Sequence, residues 1–387
     1  MKISAFIYGL TWGGATRRLL SLLGGFAERG NKVELVVVDS SGPLREEIPE
    51  GVRLYQLNQG PLGLIFPLLS RRGKMSLSKF ALSRYMKTAD FDLFLSAANH
   101  AHITALSAKV LSGSKRPFVL RLSSHVTASL KKSRKLSKRI RFLQAKRLYP
   151  KADMIIAVSR AVKEDLAQAF SIDEARIKVV YNPVYSERLI ELSKQPPGHP
   201  WLLSERGKRQ VPVLLAAGRL RRQKGFSTII KAVKIASSQK TLRLIILGEG
   251  KARRWLKRLI KEMGMETQVD MPGFVQNPMS FMARADLFCH ASTFEGLPGV
   301  VIEALATGCP VVCTDSPGGA REILEGGKCG LLVPVGDANS FSKAVLEALD
   351  RRWQRDELIS RARDFSLENA VKGYLSAFDQ VLHGKDA

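Results

Sequence analysis

The alternation of elements between residues 285 and 322 constrains the fold most strongly. The segment ADLFCHAS (285–292) predicts a buried strand, an Ala-rich helix follows the turn-like GLPG, and GCPVVCTD predicts a second strand. The loop SPGG then leads to another helix start at residues 320–322. Pro298 fits the first turn of the Ala-rich helix, where its missing N–H costs nothing. This order predicts a doubly wound α/β sheet, whose ligands bind at the carboxyl ends of the strands.

Two carboxylates in this run are candidates for ligand binding. Glu295 is predicted on the loop before the Ala-rich helix, and Glu303 inside that helix. The free N–H groups and the positive dipole end of a helix form a natural phosphate site. The spacing alone favours a coincidental pair of glutamates on an ordinary helix.

The residues around the two glutamates carry a family resemblance. The sequence resembles the Glu-x7-Glu signature of family 4 of the retaining glycosyltransferases (glycosyltransferase group 1 type). The matching order is Glu, small residue, hydrophobic residue, Pro, Gly, three β-branched residues, Glu and then Ala-Leu-Ala-x-Gly-x-Pro-Val-Val. The resemblance implies the GT-B architecture: two Rossmann-like doubly wound domains facing a central cleft, with a C-terminal helix that crosses back to the first domain.

The resemblance also implies roles for residues of the second half. Glu295 would meet hydroxyl groups of the donor sugar and Glu303 the ribose hydroxyls. Backbone around Val275 would meet the nucleotide base, and Arg219 and Lys224 would neutralise the diphosphate. The N–H groups from Leu297 to Val300 would hold the distal phosphate, although Pro298 has no N–H to offer. The predicted donor-binding residues of this loop are Gly296, Leu297, Gly299 and Val300.

The segment GRLRRQKGF, which follows the predicted strand PVLLAAG, supports a diphosphate site independently of the resemblance. Gly218 exposes backbone at the strand end, and Arg219 and Lys224 add two cations at the edge of the sheet. Cations and exposed N–H groups suit a diphosphate. Basic residues are common in this chain, so the segment gains its meaning from its combination with the Glu295 run.

The first half predicts a Rossmann-like domain of its own. Strands are predicted at residues 3–10, 32–39, 52–57, 92–97, 118–123, 154–159 and 177–184, with helical patterns between several of them. The first strand leads into a loop with Gly13 and Gly14, where backbone can come close to a ligand. The loop lacks GxGxxG, which argues against a nicotinamide or flavin enzyme. A plain tight turn remains an alternative for this loop.

The resemblance implies that Gly13 and Gly14 lie in the cleft beneath the donor. His125 follows the strand at 118–123 and, by the same resemblance, takes the position of a polar group that faces the transferred sugar. A structural histidine is equally open at this position. The predicted catalytic residues are thus Glu295, His125, Arg219 and Lys224.

The predicted domains are residues 1–193, which would bind the acceptor, and 210–364, which would bind the nucleotide sugar. The Pro-, Gly- and charge-rich residues 194–209 are predicted to link them. Residues 365–387 are predicted to form the helix that crosses back to the first domain.

The net charge of +26 over 387 residues points to a polyanionic surface. Residues 130–151 predict a basic amphipathic helix, with Leu136, Ile140 and Leu143 at helical spacing among cations and no acidic residue. The predicted membrane-binding cations are Lys131, Lys132, Arg134, Lys135, Lys138, Arg139, Arg141, Lys146 and Arg147. An anionic membrane is favoured over nucleic acid because no aromatic residues interleave in the run and no nucleic-acid module is recognisable.

No metal site is predicted. Asp90-Phe91-Asp92 has the form of a DxD metal motif but leads directly into a strand, and the four cysteines lack metal-ligand spacing. Buried, reduced thiols favour a cytosolic protein, and no apolar run approaches the roughly 20 residues that span a bilayer. A signal peptide at the basic and apolar start is the alternative to a first strand. The predicted location is the cytoplasmic face of the inner membrane, with peripheral association.

Together these features predict a retaining, metal-independent glycosyltransferase. It would move a sugar from a nucleotide diphosphate sugar, with uridine preferred by frequency in the family, to a glycolipid or lipid-linked saccharide, as in lipopolysaccharide or other cell-surface polysaccharide biosynthesis. A sugar-nucleotide epimerase on the same fold and a basic nucleic-acid-binding protein remain alternatives.

Overall fold

The computed structural model describes residues 1–11, 13–57, 70–131 and 136–384. The chain divides into two compact units, residues 1–183 with 367–387 and residues 184–366. Each unit is built on its own parallel sheet.

The strands are β1 (Lys2–Gly9), β2 (Lys32–Asp39), β3 (Val52–Gln56), β4 (Leu93–Ser96), β5 (Phe118–Leu122), β6 (Met154–Ala157), β7 (Ile177–Val179), β8 (Val213–Ala217), β9 (Arg243–Leu247), β10 (Val269–Gly273), β11 (Leu287–His290), β12 (Val311–Thr314) and β13 (Leu331–Val333). The α-helices are α1 (Gly14–Ala27), α2 (Arg71–Thr88), α3 (His102–Ser112), α4 (Leu136–Leu148), α5 (Arg160–Phe170), α6 (Glu187–Lys194), α7 (Phe226–Ala236), α8 (Arg253–Glu262), α9 (Pro278–Arg284), α10 (Gly299–Ala306), α11 (Ala320–Ile323), α12 (Ala338–Asp350), α13 (Arg355–Arg363) and α14 (Leu367–His383).

The sheet of the first unit has the order β3-β2-β1-β4-β5-β6-β7. β1 pairs in parallel with both β2 and β4, so the chain reverses its direction of winding at β1. One face of this sheet packs against α1 and α14, where Phe26 meets Tyr374 and Phe378 at ring-centroid distances of 5.8 and 5.6 Å. The C-terminal helix is therefore part of the core of the first unit.

The sheet of the second unit has the order β10-β9-β8-β11-β12-β13. β8 pairs in parallel with both β9 and β11, so its connections run in opposite directions along the sheet. The carboxyl ends of β8 and β11 consequently form the switch point at which doubly wound sheets bind ligands. The α/β, doubly wound architecture predicted from the sequence is confirmed in both units.

The boundary between the units differs from the predicted one. The strand predicted at 177–184 ends at Val179, and Val184 and Tyr185 already donate backbone hydrogen bonds to the carbonyl of Phe365. The predicted linker, 194–209, packs into the second unit: His199 Nε2 lies 2.9 Å from Asp270 Oδ2. Sequence composition indicated a loop correctly, but it did not reveal these long-range partners.

Candidate active site

The carboxyl ends of β8 and β11 place two predicted site residues side by side. Lys224 lies on the loop after β8, and Glu295 on the loop after β11. The Lys224 Nζ atom lies 2.5 Å from Glu295 Oε1, and both side chains are mostly buried. The structure therefore joins the basic segment to the first glutamate of the Glu-x7-Glu run.

All of the short contacts of the Glu295 carboxylate converge on Oε1. Ser292 Oγ donates a hydrogen bond to this atom at 2.7 Å, in addition to Lys224 at 2.5 Å. None of the hydrogen bonds found among the described residues engages Oε2. Oε1 thus anchors the side chain, while Oε2 remains an acceptor for a ligand hydroxyl group.

The ionised form of the Glu295 carboxyl group is stabilised by its surroundings. Burial of the carboxyl group tends to raise its pKa, but the Lys224 ammonium group outweighs this effect and the pKa is lowered. His290, at the end of β11, lies behind the pair with Nε2 3.8 Å from Glu295 Oε1. Burial and the nearby Lys224 lower the pKa of His290 to about 4, so this ring is neutral at neutral pH.

Close backbone contacts hold the loops that carry the pair. Gly225, directly after Lys224, has φ of 63°, and a Cβ atom there would come within 1.9 Å of the Ala291 carbonyl oxygen. Gln223 Nε2 donates a hydrogen bond to the Phe294 carbonyl at 2.9 Å. Only glycine permits the approach at residue 225, and this approach brings Lys224 within reach of Glu295.

Helix α10 begins immediately after the Glu295 loop. Pro298 is the residue before the helix rather than a residue of its first turn, and no side chain caps this helix end. Gly296, Leu297 and Gly299 are buried and Val300 is half-buried. Within these described residues, the helix end therefore offers backbone N–H groups and a positive dipole without a protein carboxylate in its first turn.

Glu303 lies one turn into α10 and is half-buried. Arg219 is exposed on the loop after β8, beyond Gly218 at the strand end. Val275 is half-buried after β10, at the far edge of the same sheet. The second unit thus carries every predicted donor-binding residue except Gly13 and Gly14. All of them except Glu303 lie on loops or helix starts that follow strand ends.

Gly13 and Gly14 lie in the first unit, where β1 meets α1. Gly13 is the residue before the helix, and Gly14 is its first residue. A Cβ atom at Gly13 would meet no atom of the described residues within 4 Å beyond its chain neighbours. Gly14 belongs to the helix and not to the predicted loop.

His125, also in the first unit, has a carboxylate partner that sequence reasoning missed. Its Nδ1 atom lies 3.1 Å from Asp165 Oδ2, and the Asp165 side chain, on α5, is only 3% exposed. Burial works to raise the pKa of Asp165, but hydrogen bonds from His125 and Thr127 outweigh it and the pKa is lowered. No sequence signal joins residues 40 positions apart on a loop and a helix. Ser292 was missed as well, although its place three residues before Glu295 could have drawn attention.

The basic segment of the first unit contains helix α4. It is shorter than the predicted 130–151 run: a π-helical turn (Thr127–Lys131) precedes it and a 3-10 turn (Tyr149–Lys151) follows. Leu136, Ile140 and Leu143 are 70, 47 and 64% exposed. Of the predicted membrane-binding cations, Lys132, Arg134 and Lys135 lie outside the described residues, and Arg139, Lys146 and Arg147 are exposed.

The described residues contain no group of three or more histidine, cysteine or acidic side chains that could hold a metal ion. Asp90 pairs with the Lys2 side chain and Asp92 accepts a hydrogen bond from the Lys2 backbone, so both stand at the strand entry as predicted. The four cysteines are buried as free thiols. In the described part of the chain, no helix combines the length and the apolar character needed to cross a membrane.

Comparison with solved structures defines the fold. The crystal structure of Anabaena Alr3699/HepE in complex with UDP and glucose superposes with a TM-score of 0.74 at 22% identity, over 98% of this chain and all of that one. This likeness and the two parallel sheets establish the GT-B fold predicted above.

Sequence comparison defines the family. The family model described as "Glycosyl transferases group 1" matches residues 204–365, and "Glycosyltransferase Family 4" matches residues 12–188. The Campylobacter jejuni enzyme named N-acetylgalactosamine-N,N'-diacetylbacillosaminyl-diphospho-undecaprenol 4-alpha-N-acetylgalactosaminyltransferase is 30% identical over 387 residues, which are 100% of this chain and 98% of the relative. A lipopolysaccharide core biosynthesis glycosyltransferase of Rhizobium meliloti, LpsE, is 32% identical over 42% of this chain and 48% of the relative. The chain belongs to family 4 of the glycosyltransferases, which confirms the resemblance.

Proposed function

We propose that this glycosyltransferase transfers a sugar from a UDP-sugar, with retention of configuration and without a metal ion, to a lipid-linked saccharide at a membrane surface. The observation that carries the proposal is the Lys224–Glu295 pair at the switch point of the second sheet, next to the uncapped start of α10. The pair provides a cation for a diphosphate and an acceptor for sugar hydroxyl groups.

The proposed chemistry follows from the charges at this site. As the bond between the sugar and the diphosphate breaks, negative charge grows on the departing phosphate. Arg219, Lys224 and the N–H groups at the start of α10 stabilise that charge, which is the main contribution of such a site to the rate. Because these groups supply the positive charge, the proposed reaction proceeds without a metal ion.

Glu295 positions the sugar in this proposal. Oε2 accepts hydrogen bonds from sugar hydroxyl groups while Lys224 and Ser292 hold Oε1. Glu303 binds the ribose hydroxyl groups, Val275 lies against the base, and Gly13, Gly14 and His125 of the first unit contribute to the binding of the transferred sugar. The acceptor oxygen bonds to the anomeric carbon on the face from which the diphosphate leaves, and the departing phosphate accepts the proton of that hydroxyl group, so the configuration is retained.

Relatives support the choice of substrates. HepE was solved with UDP and glucose, and the name of the C. jejuni relative describes transfer onto an undecaprenol-diphosphate-linked saccharide. The R. meliloti relative functions in lipopolysaccharide core biosynthesis. We therefore assign this chain to lipopolysaccharide or other cell-surface polysaccharide biosynthesis.

The surface of α4 supports a membrane-associated acceptor. Leu136, Ile140 and Leu143 recur at the spacing of one helix face, and all three are exposed. Between Asp92 and Asp153 the sequence has 14 lysines and arginines and no acidic residue. Exposed apolar side chains on the same helix as the exposed cations Arg139, Lys146 and Arg147 suit an anionic leaflet, toward which each nearby cation contributes about 1 kcal/mol. We propose peripheral association with the cytoplasmic face of the inner membrane.

Calorimetric titration with UDP, GDP and ADP, without metal and then with magnesium, tests the donor site. We expect one nucleotide, UDP, to bind without metal, and the Arg219→Ala and Lys224→Ala variants to lose at least tenfold in affinity. A transfer assay with an undecaprenyl-diphosphate-linked saccharide then tests the acceptor. Nucleotide binding that requires magnesium, or release of the altered sugar nucleotide without attachment to a second molecule, would contradict the proposal.

A further inference from the structure

The pairing of His125 with Asp165 extends the first unit's role in the proposed reaction. His125 lies on the loop after β5, and Asp165 lies on the buried face of α5. Nothing in the chemistry assigned above uses Asp165, yet its carboxylate is almost fully enclosed. Burying a carboxylate destabilises the fold unless hydrogen bonds compensate for the lost contact with water.

Three nitrogen atoms of the same loop contact one oxygen of Asp165, Oδ2. The backbone N–H groups of Val126 and Thr127 donate to Oδ2 at 2.6 and 3.1 Å, and His125 Nδ1 lies 3.1 Å from the same atom. The Thr127 hydroxyl donates to Oδ1. The carboxylate therefore holds both the backbone of the loop and the imidazole ring that the loop carries.

The contact fixes which ring nitrogen carries the proton. The pKa of Asp165 is lowered because hydrogen bonds from His125 and Thr127 outweigh its burial, so the group is ionised at neutral pH and can only accept hydrogen bonds. His125 Nδ1 must then be the donor. In the neutral ring this leaves Nε2 with a lone pair and no proton.

The Thr127 hydroxyl oxygen is a second hydrogen-bond acceptor for His125 Nδ1. Its Oγ1 atom lies 3.2 Å from Nδ1 while its own proton is directed at Asp165. Both neighbours of Nδ1 thus favour the same tautomer. The hydrogen bonds found among the described residues leave Nε2 unengaged, and the His125 side chain keeps 16% of its surface exposed.

We infer that Asp165 is a positioning residue: it holds the His125 ring with Nδ1 protonated, so that Nε2 accepts a hydrogen bond from a hydroxyl group of the bound sugar. The tautomer follows from the contacts of this unit alone, whereas the sugar contact rests on the proposed function. A purely structural Asp165, which only fixes the loop backbone, would not need the imidazole in this form.

Nitrogen-15 NMR of histidine-labelled protein reads the tautomer directly. The chain has six histidines, and loss of one signal in the His125→Gln variant assigns His125. We expect the Nδ1–H form in the wild-type protein and a shift towards the Nε2–H form in Asp165→Ala. Asp165→Asn keeps the Nδ1–H form, because its amide oxygen can accept the same three N–H groups.

Thr127→Val is the matched control, because it removes one hydrogen bond to Asp165 and one acceptor of Nδ1 but leaves the aspartate in place. We expect it to keep the Nδ1–H form. In the transfer assay, Asp165→Ala raises the KM for the donor about tenfold, the value of one hydrogen bond, while its kcat changes less than threefold. Both kinetic constants of Thr127→Val change less than threefold.

A wild-type His125 in the Nε2–H form, or equal tautomer shifts in Asp165→Ala and Thr127→Val, would overturn the inference. A confirmed tautomer with an unchanged donor KM in Asp165→Ala would overturn the sugar contact alone. If the wild-type protein transfers no sugar, the proposed function fails, and the NMR measurement still decides the role of Asp165.

Discussion

Lys224 and Glu295 are separated by 71 positions in the sequence, and their charged atoms lie 2.5 Å apart. The strands that precede them, β8 and β11, are neighbours in the sheet although β9 and β10 lie between them in the sequence. Their pairing is thus a direct product of the double winding. In the proposed function, the pair holds a cation in place for the diphosphate and leaves Glu295 with one oxygen for the sugar.

Removal of Lys224 alone destabilises the protein more than removal of both partners. Lys224→Met leaves the largely buried Glu295 carboxylate without its cation, and breaking such a pair costs about 3 kcal/mol. Adding Glu295→Gln restores much of this loss because no buried charge remains. Thermal unfolding of the single and double variants measures the coupling. Lys240, whose partner Asp350 is 71% exposed, is the control, and Lys240→Met costs under about 1 kcal/mol. Equal losses in both lysine variants would contradict the prediction.

The proposed function assigns different ligands to the two glutamates, the ribose to Glu303 and the transferred sugar to Glu295, and it predicts different losses on their removal. Glu303→Ala weakens UDP binding by at least tenfold, because the ribose hydroxyl groups lose their acceptor. Glu295→Ala changes UDP affinity by less than threefold, because UDP lacks the sugar that Glu295 binds, but it lowers the transfer rate strongly. Calorimetry with UDP separates the two. Equal losses of affinity would show that the assigned roles are wrong.

Much of the fold around this site was predictable from the sequence because local patterns encode its strands and helices. The strand at 32–39 was predicted with its observed bounds, and the structure brings together Lys224 and Glu295, which two separate motifs had singled out. The His125–Asp165 pair and the packing of His199 on Asp270 were not predictable, because both depend on which distant elements become neighbours. The end of the first unit at residue 183 was missed for the same reason.

Alanine substitutions at Gly225 and Gly264 measure how much the close contact between Gly225 and the Ala291 carbonyl contributes to stability and UDP binding. The two glycines have φ angles of 63° and 62°, but a Cβ atom at Gly225 would meet the Ala291 carbonyl oxygen at 1.9 Å, while one at Gly264 would meet no atom within 4 Å in the described part of the chain. Gly264→Ala therefore costs only the backbone strain, about 1 kcal/mol. Gly225→Ala forces the loop to move, lowers the melting temperature further and reduces UDP affinity. Similar melting temperatures and affinities in the two variants would refute the argument.

Buried histidines make the folded state sensitive to acid. Burial lowers the pKa of His102 to about 3, and its ring is satisfied in the neutral form by Ser96 and by the Arg121 carbonyl. The unfolded chain binds this proton below pH about 6.5, whereas the folded chain does not, so stability falls as the pH drops from 6.5 towards 3. His290 adds to the loss down to its pKa of about 4.

We expect His102→Gln to flatten this dependence in thermal unfolding measured between pH 7 and 4.5, whereas substitution of the exposed His383 by glutamine leaves it unchanged. The variant is less stable than the wild type at pH 7, but the difference narrows in acid. A parallel pH dependence in the wild type and His102→Gln would exclude His102 as a source of the effect.

The exposed face of α4 should determine membrane binding without contributing to the fold. Replacing Leu136, Ile140 and Leu143 by serine removes side chains that are 70, 47 and 64% exposed, so the melting temperature changes little. Each apolar side chain that enters a bilayer contributes about 1.5 kcal/mol or more, and the triple variant therefore loses at least tenfold in affinity for vesicles containing anionic lipid. Leu203, 74% exposed in the second unit, is the control for a single exposed leucine.

Vesicle sedimentation at two salt concentrations separates the apolar contribution from the cationic one, because salt weakens only the latter. Unchanged sedimentation of the triple variant would place the membrane contact elsewhere on the protein.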